Sequence, residues 1–170
     1  MSKQSETLEE RKTFRRDGKL WLHEFYKNGL LEGKFMSWYA NGDQLWEQKF
    51  YRDGELEGEY ANWYQNGQRR EQSFWKNGEL EGEAKMRYMG SGRIHMQEFY
   101  HNGKWEGTRK IWDNDGRIWT QEYYLDNEVI DNNFTRKKKN GFLRLKRLFR
   151  INMFDPPDVM LISDLMKIAR

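Results

Sequence analysis

The chain has 170 residues, enough for one domain, yet only 36% of it is hydrophobic and its mean hydropathy is −1.14, too polar for an ordinary closed core. Aromatic residues make up 16% of it, which separates it from a disordered polar chain, and the absence of cysteine removes disulfides and thiolate metal sites. The net charge of +3 hides an asymmetry: residues 136–170 carry ten Lys or Arg against three Asp, and residues 1–135 carry 20 basic against 24 acidic side chains.

The opening residues lack an apolar signal core, and no stretch approaches membrane-spanning length, so a soluble cytoplasmic protein is expected. Residues 1–12 read as a polar N-terminal segment, frayed or forming one helical turn from the capping-box spacing of Thr7 and Glu10. A repeat field follows over 13–135. Gly29, Gly54, Gly78 and Gly103 lie 25, 24 and 25 residues apart, and Gly33, Gly58, Gly82 and Gly107 keep that spacing four positions on. A third series runs through Gly18, Gly42, Gly67, Gly92 and Gly116 to Gly141. Such self-similarity predicts stacked units that gain stability from their neighbours. Asp53-Gly54 and Asn66-Gly67 each read as a type I′ reversal, because Asn, Asp and Gly reach positive φ most cheaply.

Aligning the units exposes aromatic columns. A doublet closes each one: Phe25-Tyr26, Phe50-Tyr51, Phe74-Trp75, Phe99-Tyr100 and Tyr123-Tyr124. Trp38, Trp63, Arg87 and Trp112 form one further column, and Trp21, Trp46, Arg70, His95 and Trp119 another. Equivalent rings would recur about every 10 Å across a sheet of antiparallel strands, close enough for ladders packed through intervening residues. The third unit, with Gly90-Ser91-Gly92 and interrupted Trp columns, is the expected place for weak packing or a bend.

The pattern decays beyond Tyr124, where Asp126-Asn127 replaces Asn-Gly and Asp131 takes a glycine position. Residues 136–154 form a basic segment that is either a strand or a basic helix, with Gly141 on the lattice favouring a terminal strand. Pro156 and Pro157 then break the chain, and Asp158 caps an expected helix over 159–169 whose apolar face carries Leu161, Ile162, Leu165, Met166 and Ala169. That helix would cover the open end of the sheet or dock on a partner.

The recurring Asn-Gly-x-Leu-Glu-Gly-Glu-Tyr-x-x-Trp-Tyr-x-Asn-Gly pattern, at residues 28–42, 53–67 and 77–92, resembles the MORN repeat in its variant form, as in antitoxin YwqK-like proteins. The unit spacing and the ending Phe154-Asp-Pro-Pro-Asp158 are similar to the MORN-repeat families of large DNA viruses of the marseillevirus type. The resemblance implies an all-β fold, an elongated, twisted antiparallel sheet of stacked β-hairpins, to which the sequence adds a short C-terminal α-helix. It also implies a scaffold or assembly surface, placed in host cytoplasm or virion if the protein is viral.

No catalytic, cofactor-binding or metal-ligating constellation is legible, and no small-molecule substrate is expected. His23 and His101 occupy columns filled elsewhere by Gln, Lys or Arg, and so read as a ladder or surface residue and a solvated turn residue. Glu55, Glu57 and Glu59 read as solubilising strand-edge charges. The candidate protein-interaction surface is the set Trp21, Trp46, Trp119, Trp38, Trp63 and Trp112. Candidate contacts for an anionic lipid, a nucleic acid or an acidic protein are Arg136, Lys137, Lys138, Lys139, Arg144, Lys146, Arg147 and Arg150, eight bases with no acid between Arg136 and Arg150.

Overall fold

The computed structural model describes residues 7–132, and every regular element among them is a β-strand. In chain order these are β1 (Glu9–Phe14), β2 (Leu20–Lys27), β3 (Leu30–Leu31), β4 (Gly33–Trp38), β5 (Leu45–Arg52), β6 (Glu55–Leu56), β7 (Gly58–Trp63) and β8 (Arg69–Lys76). They continue with β9 (Glu79–Leu80), β10 (Gly82–Arg87), β11 (Ile94–His101), β12 (Lys104–Trp105), β13 (Gly107–Trp112), β14 (Ile118–Leu125) and β15 (Glu128–Asn132). The sheet is an antiparallel meander, β1-β2-β4-β5-β7-β8-β10-β11-β13-β14-β15, with β3, β6, β9 and β12 folded back on the ends of β2, β5, β8 and β11. At a spacing of about 4.8 Å the path is roughly 48 Å across.

The glycine lattice resolves into three different devices. Asn28-Gly29, Asp53-Gly54, Asn77-Gly78 and Asn102-Gly103 hold positive φ at both residues, and the residues flanking each turn pair directly, as Lys27 does with Leu30. These are two-residue type I′ reversals, as expected, and Asp126-Asn127 keeps the geometry with φ of 51° and 69°. The second series, at φ of 80°, 95°, 82° and 113°, breaks each returning strand into a two-residue and a six-residue piece. There the pairing slips by two residues, from Tyr26↔Leu31 to His23↔Met36.

The third series departs from expectation. Only Gly67 of the Asn66-Gly67 pair has positive φ, and the bonds from Tyr64 N–H to the Gln68 carbonyl and from Gly67 N–H to the Tyr64 carbonyl define a three-residue loop ending in a left-handed glycine. Equivalent bonds enclose three residues at 16–18 and 114–116, but four at 40–43 and 89–92. The alternation of 24- and 25-residue intervals therefore resides in this loop alone. The third unit, with its Gly-Ser-Gly loop, holds the register of its neighbours from Gly82↔Tyr100 to Met86↔Met96.

The N-terminal boundary also moves. Residues 9–12 are neither frayed nor helical; they belong to β1, which pairs from Glu9↔Tyr26 to Phe14↔Leu20. Every side chain of β1 is exposed, so no hydrophobic alternation could reveal it. The buried positions are mostly small or polar, with Ser37 and Ala61 fully enclosed and Asn62, Ser73, Glu98, Glu106 and Tyr124 nearly so. A single layer has no second sheet to pack against, and its interior is confined to a line between neighbouring strands. The expected terminal strand in 136–154 and helix in 155–170 lie outside the described residues.

At Gly107, φ is 113° and an added Cβ would come 3.3 Å from the Cβ of Phe99. Gly107→Ala is expected to lower unfolding free energy by about 1–3 kcal/mol in urea titrations, through backbone strain and crowding. Asn102→Gly, which keeps the turn conformation accessible, should change it by less than about 1 kcal/mol.

Candidate interaction surface

Pairing registers show what sets the two tryptophan columns apart. In each hairpin closed by one of the three- or four-residue loops the ladder skips one residue of the long strand: Ser37 faces Glu47 and Trp38 faces Leu45, leaving Trp46 unmatched. Trp21, Arg70, His95 and Trp119 are skipped in the same way. This column is thus a row of β-bulges, where the extra residue bends the strand and re-aims its side chain. Trp21, Trp46 and Trp119 are 43%, 44% and 67% exposed, whereas Trp38, Trp63 and Trp112 are half-buried.

The columns are packed through intervening side chains. Cations and tyrosines fill the spaces: Arg15 lies 5.4 Å from the Trp21 ring and Arg69 5.6 Å from Trp63, while Tyr39 meets Trp46 at 6.5 Å and Tyr88 meets His95 at 4.4 Å. Sequence reasoning passed over the tyrosines that follow the Trp column. Tyr39, Tyr64 and Tyr88 donate from their hydroxyls to the carbonyls of Trp63, Arg87 and Trp112, at 2.7, 2.6 and 2.8 Å, each reaching into the next unit. Arg15 makes the corresponding bond to the Trp38 carbonyl at 3.3 Å.

A second seam runs along the type I′ turns. The N–H groups of Asp53, Asn77 and Asn102 donate to the carboxylates of Glu32, Glu57 and Glu81 at 2.8–2.9 Å. Beside them, Gly54, Gly78 and Gly103 donate to the carbonyls of Leu31, Leu56 and Leu80. Glu57, read from sequence as a solubilising charge, is therefore a joint between units and also pairs with Arg52 at 3.0 Å; Glu59 binds Arg69 at 3.0 Å. His101, expected in solvent, places Nδ1 3.0 Å from Glu81 at the same seam, and His23 lies 2.7 Å from Glu10.

Strand alternation puts Phe25, Phe50, Phe74, Phe99 and Tyr123 on one face and their doublet partners on the other. On the latter face Arg109 sits between Glu98 at 2.7 Å and Glu122 at 3.2 Å, with its guanidinium 5.5 Å from the Trp105 ring. Tyr100 and Tyr124 donate to the same two carboxylates at 2.7 and 2.9 Å. Burial, reinforced by Glu98, pushes the Tyr100 phenol up to about 12, and burial with Glu122 raises Tyr124. Among the described residues no group of three or more His, Cys, Asp or Glu could hold a metal ion, and no helix is long and apolar enough to cross a membrane. The basic candidates between Arg136 and Arg150 lie outside the described residues.

One structural unit has a counterpart among known families. Residues 56–77 match the family model of the MORN repeat variant. The matched stretch runs from Leu56 in β6 through the positive-φ Gly58, β7, the three-residue loop and β8 to the turn residue Asn77. The same order of short strand, glycine, strand, loop and long strand recurs from Leu31, Leu80 and Trp105, so the MORN-like match marks one unit of a larger periodic sheet. No curated protein matches the chain.

The Tyr100 phenol is protonated in the folded sheet well above its ordinary value, so its contribution to stability is complete below pH 10 and is lost as pH rises toward 12. Spectrophotometric titration is expected to show, beyond the raised Tyr60 and Tyr124, a tyrosine ionising near pH 12 whose signal is lost in Tyr100→Phe. A titration in which every tyrosine ionises near pH 10 would contradict the buried Tyr100–Glu98 bond.

Proposed function

We propose that this chain is a non-enzymatic repeat scaffold that binds other proteins through its sheet, with the bulge row of Trp21, Trp46 and Trp119 as the contact surface. The observation that carries this reading is the exposure of these three large rings at positions where the ladder is interrupted. A bulge frees a side chain from the cross-strand packing that would otherwise hide it, and exposed Trp is costly to keep unless it is used in recognition. The hydrogen bonds between units come from Tyr39, Tyr64, Tyr88 and the Glu32, Glu57 and Glu81 series rather than from these indoles, although Trp21 and Trp46 rest against Arg15 and Tyr39.

A second reading, of a different class, rests on the run of eight bases without an acid between Arg136 and Arg150: peripheral binding to an anionic membrane or nucleic acid.

The triple variant Trp21→Ala, Trp46→Ala, Trp119→Ala is expected to keep its β-sheet circular dichroism and to lose, by at least about 100-fold in affinity, a partner identified by affinity capture with the wild-type chain. Retention of that partner at wild-type affinity would remove the bulge row from consideration. Sedimentation with phosphatidylserine vesicles, or a DNA mobility shift, that vanishes with rising salt and in Lys137→Glu, Lys138→Glu, Lys139→Glu would favour the second reading.

A further inference from the structure

Strand alternation gives the face that carries the phenylalanine column a character of its own. Every exposed Phe or Trp among the described residues, namely Phe14, Trp21, Trp46, Phe74 and Trp119, falls on it. The carboxylates that β1, β7 and β10 place on this face are already answered: Glu10 by Lys12 at 2.7 Å, Glu59 by Arg69 at 3.0 Å and Glu83 by Lys85. Arg70 and Arg87, on the same face, are not answered. Among the described residues neither guanidinium has an ion pair or a hydrogen bond, and Arg70 is exposed while Arg87 is half-buried.

The strand registers bring these two bases together. Met86 pairs with Glu71, so the next step toward the loops sets Arg87 opposite Arg70. The corresponding step in the neighbouring units joins Trp46 to Trp63 and His95 to Trp112, where His95 Nδ1 lies 3.2 Å from the Trp112 carbonyl. Over three successive units the loop end of this face therefore carries an indole pair, a guanidinium pair and an imidazole–indole pair. Two like charges set opposite each other with no carboxylate between them cost stability. The sheet bears that cost where the adjoining units carry rings.

We propose that Arg70 and Arg87 receive a carboxylate of the partner protein, which lays an extended segment across the strands with an acidic residue at the guanidinium pair and apolar residues at the ring pairs on either side. It rests on the protein-contact reading of the bulge row, to which Arg70 belongs, and states what that row selects. A carboxylate is the group with which this face already answers Arg69 and Lys85, and each guanidinium offers it a fork of N–H donors. Successive pairs lie two strands apart, roughly 9.6 Å, which an extended chain rising about 3.3 Å per residue covers in about three residues. The segment is thus apolar-x-x-Asp/Glu-x-x-apolar, and the third unit, whose tryptophans are interrupted, supplies the charge selectivity.

Fluorescence anisotropy on the full chain tests this with the labelled peptide Gly-Phe-Ser-Ser-Glu-Ser-Ser-Phe-Gly, the same peptide with Gln in place of Glu, and the same peptide with phosphoserine there. The Glu peptide is expected to bind at least about tenfold more tightly than the Gln peptide, with a margin that shrinks as salt rises. Arg70→Gln, Arg87→Gln is expected to abolish that margin, to leave the Gln peptide's affinity unchanged, and to raise the urea midpoint, which separates lost recognition from lost folding. Equal binding of the Glu and Gln peptides, or an undiminished margin in the variant, overturns the proposal and leaves the bulge row standing. Failure of every peptide to bind also overturns it, while the bulge row is judged separately by the triple Trp variant and its captured partner. Tighter binding of the phosphoserine peptide or of a thymidine oligonucleotide, lost in the same variant, overturns it as well and assigns the arginine pair to that anion.

Discussion

At Asp53-Gly54, Asn77-Gly78 and Asn102-Gly103 the type I′ turn presents two backbone N–H groups at its tip, and the unit before it supplies a leucine carbonyl and a glutamate carboxylate to receive them. Glu32, Glu57 and Glu81 receive the N–H of Asp53, Asn77 and Asn102, while Leu31, Leu56 and Leu80 receive that of Gly54, Gly78 and Gly103. This joint dictates much of the rest. It requires positive φ at both turn residues, so that the amides point back along the sheet, and it places a conformationally free glycine just after the glutamate, where the strand resumes. The carboxylate accepts as an anion, which strengthens each bond over a neutral one.

With that seam fixing one edge of the strip, the tyrosine-to-carbonyl bonds of Tyr39, Tyr64 and Tyr88 fix the other. Two seams, one at each end of the strands, hold successive hairpins in register although almost no hydrophobic side chain is fully enclosed. Stability is therefore spread among nearest-neighbour joints, as in other repeat architectures, and a change in one unit is felt mainly by the units on either side. The single-residue difference between three- and four-residue loops is absorbed outside both seams, which is why the repeat length can alternate without disturbing the ladder.

The same architecture explains why the surface is the place to look for function. A single-layer sheet exposes two faces, and one carries a charged and aromatic network built around Arg109, Glu98 and Glu122. The bulge row is different: Trp21, Trp46 and Trp119 are large and exposed, and none supplies a hydrogen bond of either seam. The matched MORN-like stretch at 56–77 has Arg70 at this position, so the tryptophans vary while the joints repeat. The joints thus recur at three successive positions, whereas the side chain at the bulge changes from one unit to the next.

The sequence alone determined the all-β repeat, its glycine-marked units and the type I′ turns at Asp53-Gly54 and its equivalents, because positive φ is a local demand that only a few residue types meet. It did not determine which Trp column is exposed, since that depends on a bulge created by pairing with another strand, nor the roles of Glu57 and Tyr64, whose partners lie 20 and 23 residues away. Nor did it reveal β1, whose charged residues Glu9, Glu10, Arg11 and Lys12 carry no local strand signal and are ordered by pairing with β2. Local backbone preference is written residue by residue, whereas register, exposure and the joints between units come into being only when two strands meet.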